Sequence, residues 1–281
     1  MATRIFRFRR GEWVFGERPY ILAIMNVTPD SFSDGGPLNR DPAYQVDQAA
    51  ALLEDGADGL DLGAESTRPG HAPISATEEW ERLGPVLKAV RAAYPHVPLS
   101  VDTYKAEVAR RALAEGADII NDIWGLSRDP AMGSVVAESQ AGLILMFNSP
   151  DDAAVPIGTA EIRAGLVRAI DLATQAGIQP DHVVVDPGIG FRVQGDSIWT
   201  LLTHLGDLND LGAGILIGHS RKRFLGAATG LADPRARDLA TAVLSALLAN
   251  AGADVLRVHN PRWTHEALAI QERWRVFHGV D

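Results

Sequence analysis

The sequence predicts one (β/α)8-barrel domain with a short N-terminal strand pair, and three observations carry that reading. Short, nearly continuous Val/Ile/Leu runs recur along the chain, the pattern of parallel strands covered on both faces. Longer amphipathic stretches with helical spacing separate them. The 281 residues suffice for one such barrel and its core. A doubly wound open sheet is the structural rival. No Gly-x-Gly-x-x-Gly follows the first strand, however, and eight strand–helix units favour closure.

The elements follow in order. Residues 1–20 precede the barrel. Phe6 and Phe8 alternate there with Arg7 and Arg9, which predicts a half-buried strand with a solvated basic face rather than a targeting peptide. This strand and a partner are expected to cap the bottom of the barrel. Residues 21–281 form the barrel proper, with strands at 21–27, 59–63, 98–102, 118–123, 142–147, 182–187, 214–218 and 254–259. The intervening stretches, such as PAYQVDQAAALLEDG and KAEVARRALAEG, read as helices. Gly56, Gly116, Gly177 and Gly252 mark where left-handed stops are expected.

Composition narrows the function. A net charge of −10 argues against nucleic-acid binding, so any anion must be held by a few local Arg, Lys and backbone N–H groups. The sequence has no cysteine, which excludes disulfides, thiolate catalysis and Cys-ligated metals. That fits a reducing, cytoplasmic setting. No apolar run reaches membrane-spanning length.

In barrels of this kind the chemistry sits at the C-terminal ends of the strands. Polar residues gather there: Asn26, Asp61, Asp102, Asn121 with Asp122, Asp186, the run Gly218-His219-Ser220-Arg221-Lys222, and Arg257 with His259. Strand alternation places Arg257 and His259 on one face and Leu256 and Val258 on the other, and Ser100 and Asp102 opposite Val101. Any one of these could be mundane, an Asp capping the next helix or an Arg in a surface pair. Together they are too many for caps alone, because buried charges are costly without a ligand or partners. Asp61, Asp102, Asn121, Asp186 and Lys222 make an acceptor-rich wall suited to a planar heterocycle with an N–H edge. Asn26, Thr67, Arg68, Arg257 and His259 suit phosphate, through Arg forks and loop amides.

At these residues the sequence resembles the dihydropteroate synthase family of pterin-binding TIM barrels. ILAIMNVTPDSFSDGG, LDLGAESTRPG, VDTYKAEV, IINDI, VVVDPGIGF, IGHSRKRFLG and LRVH look like the family's motifs in its order, from the first strand to the eighth. The resemblance implies condensation of a pterin diphosphate with p-aminobenzoate, releasing pyrophosphate. It implies that Asp102, Asn121, Asp186 and Lys222 bind the pterin, with Asp61 supporting that wall. Asn26, Thr67, Arg68, Arg257 and His259 would hold the diphosphate, with Mg2+ at Asn26. Thr67, Pro69, Phe191 and Ser220 would hold p-aminobenzoate. Asp102, Lys222 and Arg257 would carry the catalytic roles. A homodimer is also implied.

Several positions depart from the family pattern: Ala64, Phe147, Asn148, Arg192, Val193, Arg223 and Asn260. Those up to Val193 are expected near the pterin pocket or its edge, and Arg223 near the carboxylate end of p-aminobenzoate. The departures leave open a non-catalytic or altered-substrate paralogue. A pterin-dependent methyltransferase would share the Asp102–Asn121–Asp186 wall but have no use for ESTRPG and RVH. A generic phospho-sugar barrel is set aside by the motifs.

Overall fold

The computed structural model describes residues 4–28, 41–66, 72–148, 158–191 and 193–278. Two short antiparallel strands, β1 (Ile5–Phe8) and β2 (Gly11–Val14), open the chain. The strands β3 (Tyr20–Asn26), β4 (Gly59–Gly63), β5 (Leu99–Asp102), β6 (Ile119–Asp122), β7 (Gly142–Met146), β8 (Val183–Asp186), β9 (Gly214–Ile217) and β10 (Val255–Val258) follow. Each pairs in parallel with the next, and β10 pairs with β3, so the sheet closes into a barrel and leaves no edge.

Helices alternate with the strands: α1 (Pro42–Glu54), α2 (Ala76–Ala93), α3 (Ala106–Ala114), α4 (Met132–Ser139), α5 (Thr159–Gln175), α6 (Asp196–Thr203), α7 (Arg223–Thr229), α8 (Asp238–Ala251) and α9 (Pro261–His278). Local sequence sets their ends. Asp41 accepts the N–H of Ala43 ahead of Pro42, and the Ser75 hydroxyl accepts the N–H of Glu78. Gly56, Gly116, Gly177 and Gly252 all take positive φ just past a helix, at the expected stops. The sequence reading missed α7, a two-turn helix between β9 and α8 that adds a second helix to that unit.

The core has two layers. Outward-facing strand residues such as Ile21, Leu62, Val101, Ile120, Leu143, Val185, Ile217 and Leu256 pack under the helices. Leu22, Ile119, Ile144, Val184, Leu216 and Val255 point into the barrel and meet Phe6, Phe8, Trp13 and Phe15 from the N-terminal strand pair. The strand pair therefore plugs the bottom of the barrel with aromatic rings. Glycines at strand starts make room for them. A Cβ on Gly142 would lie 2.7 Å from Phe6 Cζ, and one on Gly214 only 2.3 Å from Phe15 Cε2.

The basic face of this strand is exposed, as the alternation predicts. Arg7 is exposed, as predicted. Arg9, also exposed, donates to the carbonyls of Leu113 and Ala117, and Arg10 to that of Gly116. Leu113 lies in the last turn of α3 and Gly116 and Ala117 just beyond it, where a cation is favoured by the helix dipole. The arginines therefore fasten the plug to the barrel while remaining exposed to solvent.

Candidate active site

With its lower end plugged, the barrel opens at the C-terminal ends of its strands into a cavity of about 1270 Å³. Inward-facing strand positions build its floor. Arg257 on β10 reaches across, its Nε donating to Asp61 Oδ2 (2.6 Å) and its Nη2 to Asp102 Oδ2 (2.7 Å). Asn121 donates to the same Asp61 oxygen at 3.3 Å. Burial works against the charge of Arg257, but Asp61 and Asp102 outweigh it and its pKa is raised. Burial pushes Asp102 up to about 7 against the pull of Arg257, with Asp61 adding like-charge repulsion. One guanidinium thus serves two carboxylates.

A second pair stands across the floor. The Lys222 ammonium donates to the carbonyl of Ile189 and lies 4.8 Å from the centre of the Phe191 ring. Burial pulls Lys222 down to about 8, partly offset by Asp186. Burial likewise raises Asp186, although Lys222 and the N–H of Gly188 (2.8 Å) favour its charged form. The backbone gives way to these groups. A Cβ on Gly190, where φ is +77°, would sit 2.7 Å from Lys222 Cδ. Arg221, just before Lys222, takes a positive φ of 59°. Two hydrogen bonds to Asp238, at 2.6 and 2.8 Å, hold it in that conformation and turn the chain so that Lys222 enters the cavity.

The strand-end carboxylates divide by role. Asp122 accepts the N–H groups of Trp124 and Leu126, both at 2.8 Å, so it closes a turn as the mundane reading would have it. Asp102 and Asp186 line the cavity. Asp61 requires a correction. It is fully buried and lies one layer below Asp102, because Gly63 rather than Asp61 pairs in register with Asp102. It supports Arg257 and Asn121 from beneath and does not line the cavity. His219 faces α8, bonded to the Thr241 carbonyl and the Ser245 hydroxyl, and burial lowers its pKa to about 4. It is a neutral structural group.

Asn26, Asn121, Phe191, Ser220 and His259 all line the cavity. The Ser220 hydroxyl bridges to His259, accepting its backbone N–H at 3.1 Å and lying 3.0 Å from its Nδ1. Thr67, Arg68 and Pro69 lie outside the described residues, as does Arg192. Among the departures, Ala64, Phe147 and Val193 are buried in the helix-facing core, which corrects their expected place at the pocket. Phe147 packs onto α5, where a Cβ on Gly165 would lie 2.2 Å from its ring. Asn148 and Arg223 do line the cavity. Asn260 donates to Asp238 at 3.2 Å and accepts the N–H of Trp263, so it caps α9.

Sequence reasoning overlooked other lining residues, among them Ser66, Gln194, Trp199, Phe224 and Arg235. Trp199 on α6 and Phe224 on α7 meet edge to face, with centroids 5.3 Å apart. Their position on short helices beyond the strand ends left no strand-end signal.

A closed barrel whose mouth gathers buried carboxylates, cations and amides defines an enzyme acting on a polar small molecule. The chain belongs to the pterin-binding enzyme family, whose model matches residues 22–259. Among relatives, the dihydropteroate synthase of Mycobacterium leprae is 40% identical over 269 residues, covering 90% of this chain and 93% of the relative. That of a Synechocystis species is 39% identical, covering 88% and 86%. Among solved structures, the Xanthomonas albilineans dihydropteroate synthase with 4-aminobenzoic acid is 36% identical and superposes with a TM-score of 0.90 over 100% of both chains. The Burkholderia cenocepacia enzyme complexed with 7,8-dihydropteroate is 34% identical, with a TM-score of 0.87 over 99% of each chain.

Proposed function

We infer that this chain is a transferase of folate biosynthesis that condenses 6-hydroxymethyl-7,8-dihydropterin diphosphate with p-aminobenzoate, giving dihydropteroate and pyrophosphate. The observation that carries the reading is the floor of the cavity. Asp102 and Asp186 line it with Arg257 and Lys222, while Asp61, buried beneath, takes one hydrogen bond of Arg257, so three carboxylates share two cations. The excess of acceptors calls for a ligand bringing N–H donors, as the amino-pyrimidine edge of a pterin does. Asp186 and Asn121 bind that edge, and Lys222 holds the ring beside Phe191.

During the reaction the C–O bond to the diphosphate breaks, the aniline nitrogen bonds to the methylene carbon, and the nitrogen loses a proton. Positive charge spreads into the pterin as the leaving group departs. Asp102 stabilises that charge, while Arg257 and His259 receive the diphosphate. Phe191 and Ser220 flank the approach of p-aminobenzoate. No nucleophilic side chain is required.

The residues present fit Mg2+ as an ion arriving with the substrate. The amide of Asn26 offers one hard oxygen at the cavity wall, and among the described residues no group of three His, Asp, Glu or Cys could form a protein cage. Asn26 would hold the ion, which supplies charge neutralisation to the leaving diphosphate.

The proposal includes a homodimer. The outer face of α8 presents Leu239, Val243 and Leu247 at helical spacing, and α9 adds Ile270, Trp274 and Phe277, all exposed. A second copy would bury this apolar stripe about a two-fold axis. A cytoplasmic setting accords with the absence of cysteine.

The test is pyrophosphate release with the pterin diphosphate and Mg2+, with and without p-aminobenzoate. Release that depends on p-aminobenzoate and yields dihydropteroate is expected. Tight pterin binding without any release would instead favour the non-catalytic paralogue.

A further inference from the structure

Beside Asp102, outside the pterin wall, a buried ion cluster joins three elements. Lys105, in the turn from β5 to α3, donates to Glu65 just past β4 and to Glu79 on α2, the latter at 2.5 Å. The Glu65 carboxylate also accepts the Tyr104 hydroxyl at 3.2 Å and the backbone N–H of Ile74 at 3.1 Å. The ammonium lies 4.6 Å from the centre of the Tyr104 ring. Glu79 is 1% exposed, and its second carboxylate oxygen has no hydrogen-bond partner.

Two features separate this cluster from ordinary stabilisation. A buried ion pair with an unsatisfied oxygen is a poor source of stability, since apolar residues of similar volume often do as well. In addition, Glu65 and Ser66 line the cavity beside Asp102, yet both oxygens of Glu65 are taken up by donors of the protein. Glu65 therefore holds chain in place and is not available to hold substrate.

We propose that Lys105 is a positioning residue for the reaction, fixing through Glu65 the cavity wall formed by Glu65 and Ser66 against α2 and the β5–α3 turn. The inference rests on the condensing activity proposed above. Small displacements of a cavity wall cost rate steeply, so the effect is on turnover rather than on the pterin pocket, whose Asn121 and Asp186 lie on β6 and β8 and whose Lys222 is the N-cap residue of α7.

The test compares Lys105→Met and Lys105→Arg with the native chain in three measurements: kcat and KM for both substrates, affinity for 6-hydroxymethylpterin without phosphates, and affinity for the pterin diphosphate. Lys105→Met is expected to lose at least tenfold in kcat/KM, while its affinity for the phosphate-free pterin stays within twofold. Lys105→Arg is expected to recover most of the loss. Should Lys105→Met not fold, Glu65→Gln, which keeps the shape and weakens the bond to Lys105, is expected to show the same split. Unchanged kcat/KM in a folded variant would overturn the proposal, as would a loss matched by an equal loss of phosphate-free pterin binding. If the native chain itself releases no pyrophosphate, the activity reading fails instead. The positioning role then stands or falls on whether Lys105→Met selectively loses affinity for the diphosphate form.

Discussion

Replacing Arg257 with methionine removes a guanidinium that two carboxylates share and leaves a side chain of similar reach. Asp61 is fully buried and Asp102 only 10% exposed, and their hydrogen bonds to Arg257 are 2.6 and 2.7 Å long. Breaking a buried ion pair by removing one partner costs about 3–5 kcal/mol, because the other charge is left uncompensated. For a chain of this size that corresponds to a fall in Tm of roughly 6–10 °C. The cost depends on pH, and its sign follows from Asp102. Burial raises the folded-state pKa of Asp102 to about 7, above its ordinary value, even with Arg257 present. Between pH 4 and 7 the native state therefore binds a proton that the unfolded chain has released, so this group's contribution falls as pH rises and levels off above 7. Without Arg257 the pKa climbs further, and the fall continues to higher pH. Thermal melts of both proteins at pH 6, 7 and 8.5 are expected to show a Tm gap that widens with pH. A gap that is constant, or below about 2 °C at pH 8.5 and so worth less than roughly 1 kcal/mol, would refute the buried-pair reasoning. The variant should also lose far more affinity for the pterin diphosphate than for the pterin alone, and equal losses would remove Arg257 from the anion site.

Other consequences are equally direct. Gly214→Ala drives a methyl group into the Phe15 ring and should destabilise the fold by about 1–3 kcal/mol in urea denaturation, with Phe15→Leu restoring part of the loss. Since Lys222 is pulled down to about 8 by burial, kcat/KM for the pterin diphosphate should decline above pH 8 as the ammonium loses its proton, and Lys222→Arg should move that decline to higher pH. Asp186→Ala should abolish binding of the pterin with and without its phosphates by calorimetry, and retained binding would take Asp186 out of the pterin wall. Val243→Glu, on the apolar stripe of α8, should shift the sedimentation coefficient from dimer toward monomer while leaving the monomer folded.

What was legible in the sequence follows from period and burial. Strands covered on both faces must be apolar throughout, so β3 to β10 stood out as runs. The period of two then placed Arg257, His259 and Asp102 on inward faces. Depth was not legible. Asp61 and Asp102 both point inward, but the stagger of neighbouring strands sets Asp61 a layer lower, and no residue pattern encodes that stagger. The same limit hid the Lys105 cluster. Glu79 lies in the first turn of α2, far from any strand end, and its burial arises only when α2 packs beside the β5–α3 turn. Arg9 is exposed as its alternation implies, but the carbonyls it also meets at and beyond the end of α3 lie about a hundred residues away, out of reach of any local pattern.

The departures from the family pattern sort by the same geometry. Ala64, Phe147 and Val193 face the helices, where the requirement is volume, and Phe147 is accommodated by the bare backbone of Gly165. Asn260 exchanges a charge for a cap on α9 and a bond to Asp238, the residue that holds Arg221 and so aims Lys222. None of these touches the balance of carboxylates and cations at the floor, which governs the first substrate. Asn148 and Arg223 stand at the rim, where the second substrate would approach. A cation at that position favours an anionic group on the incoming amine. Variation in this chain should therefore appear in the affinity for the p-aminobenzoate partner, while recognition of the pterin follows the conserved physics of a buried, acceptor-rich floor.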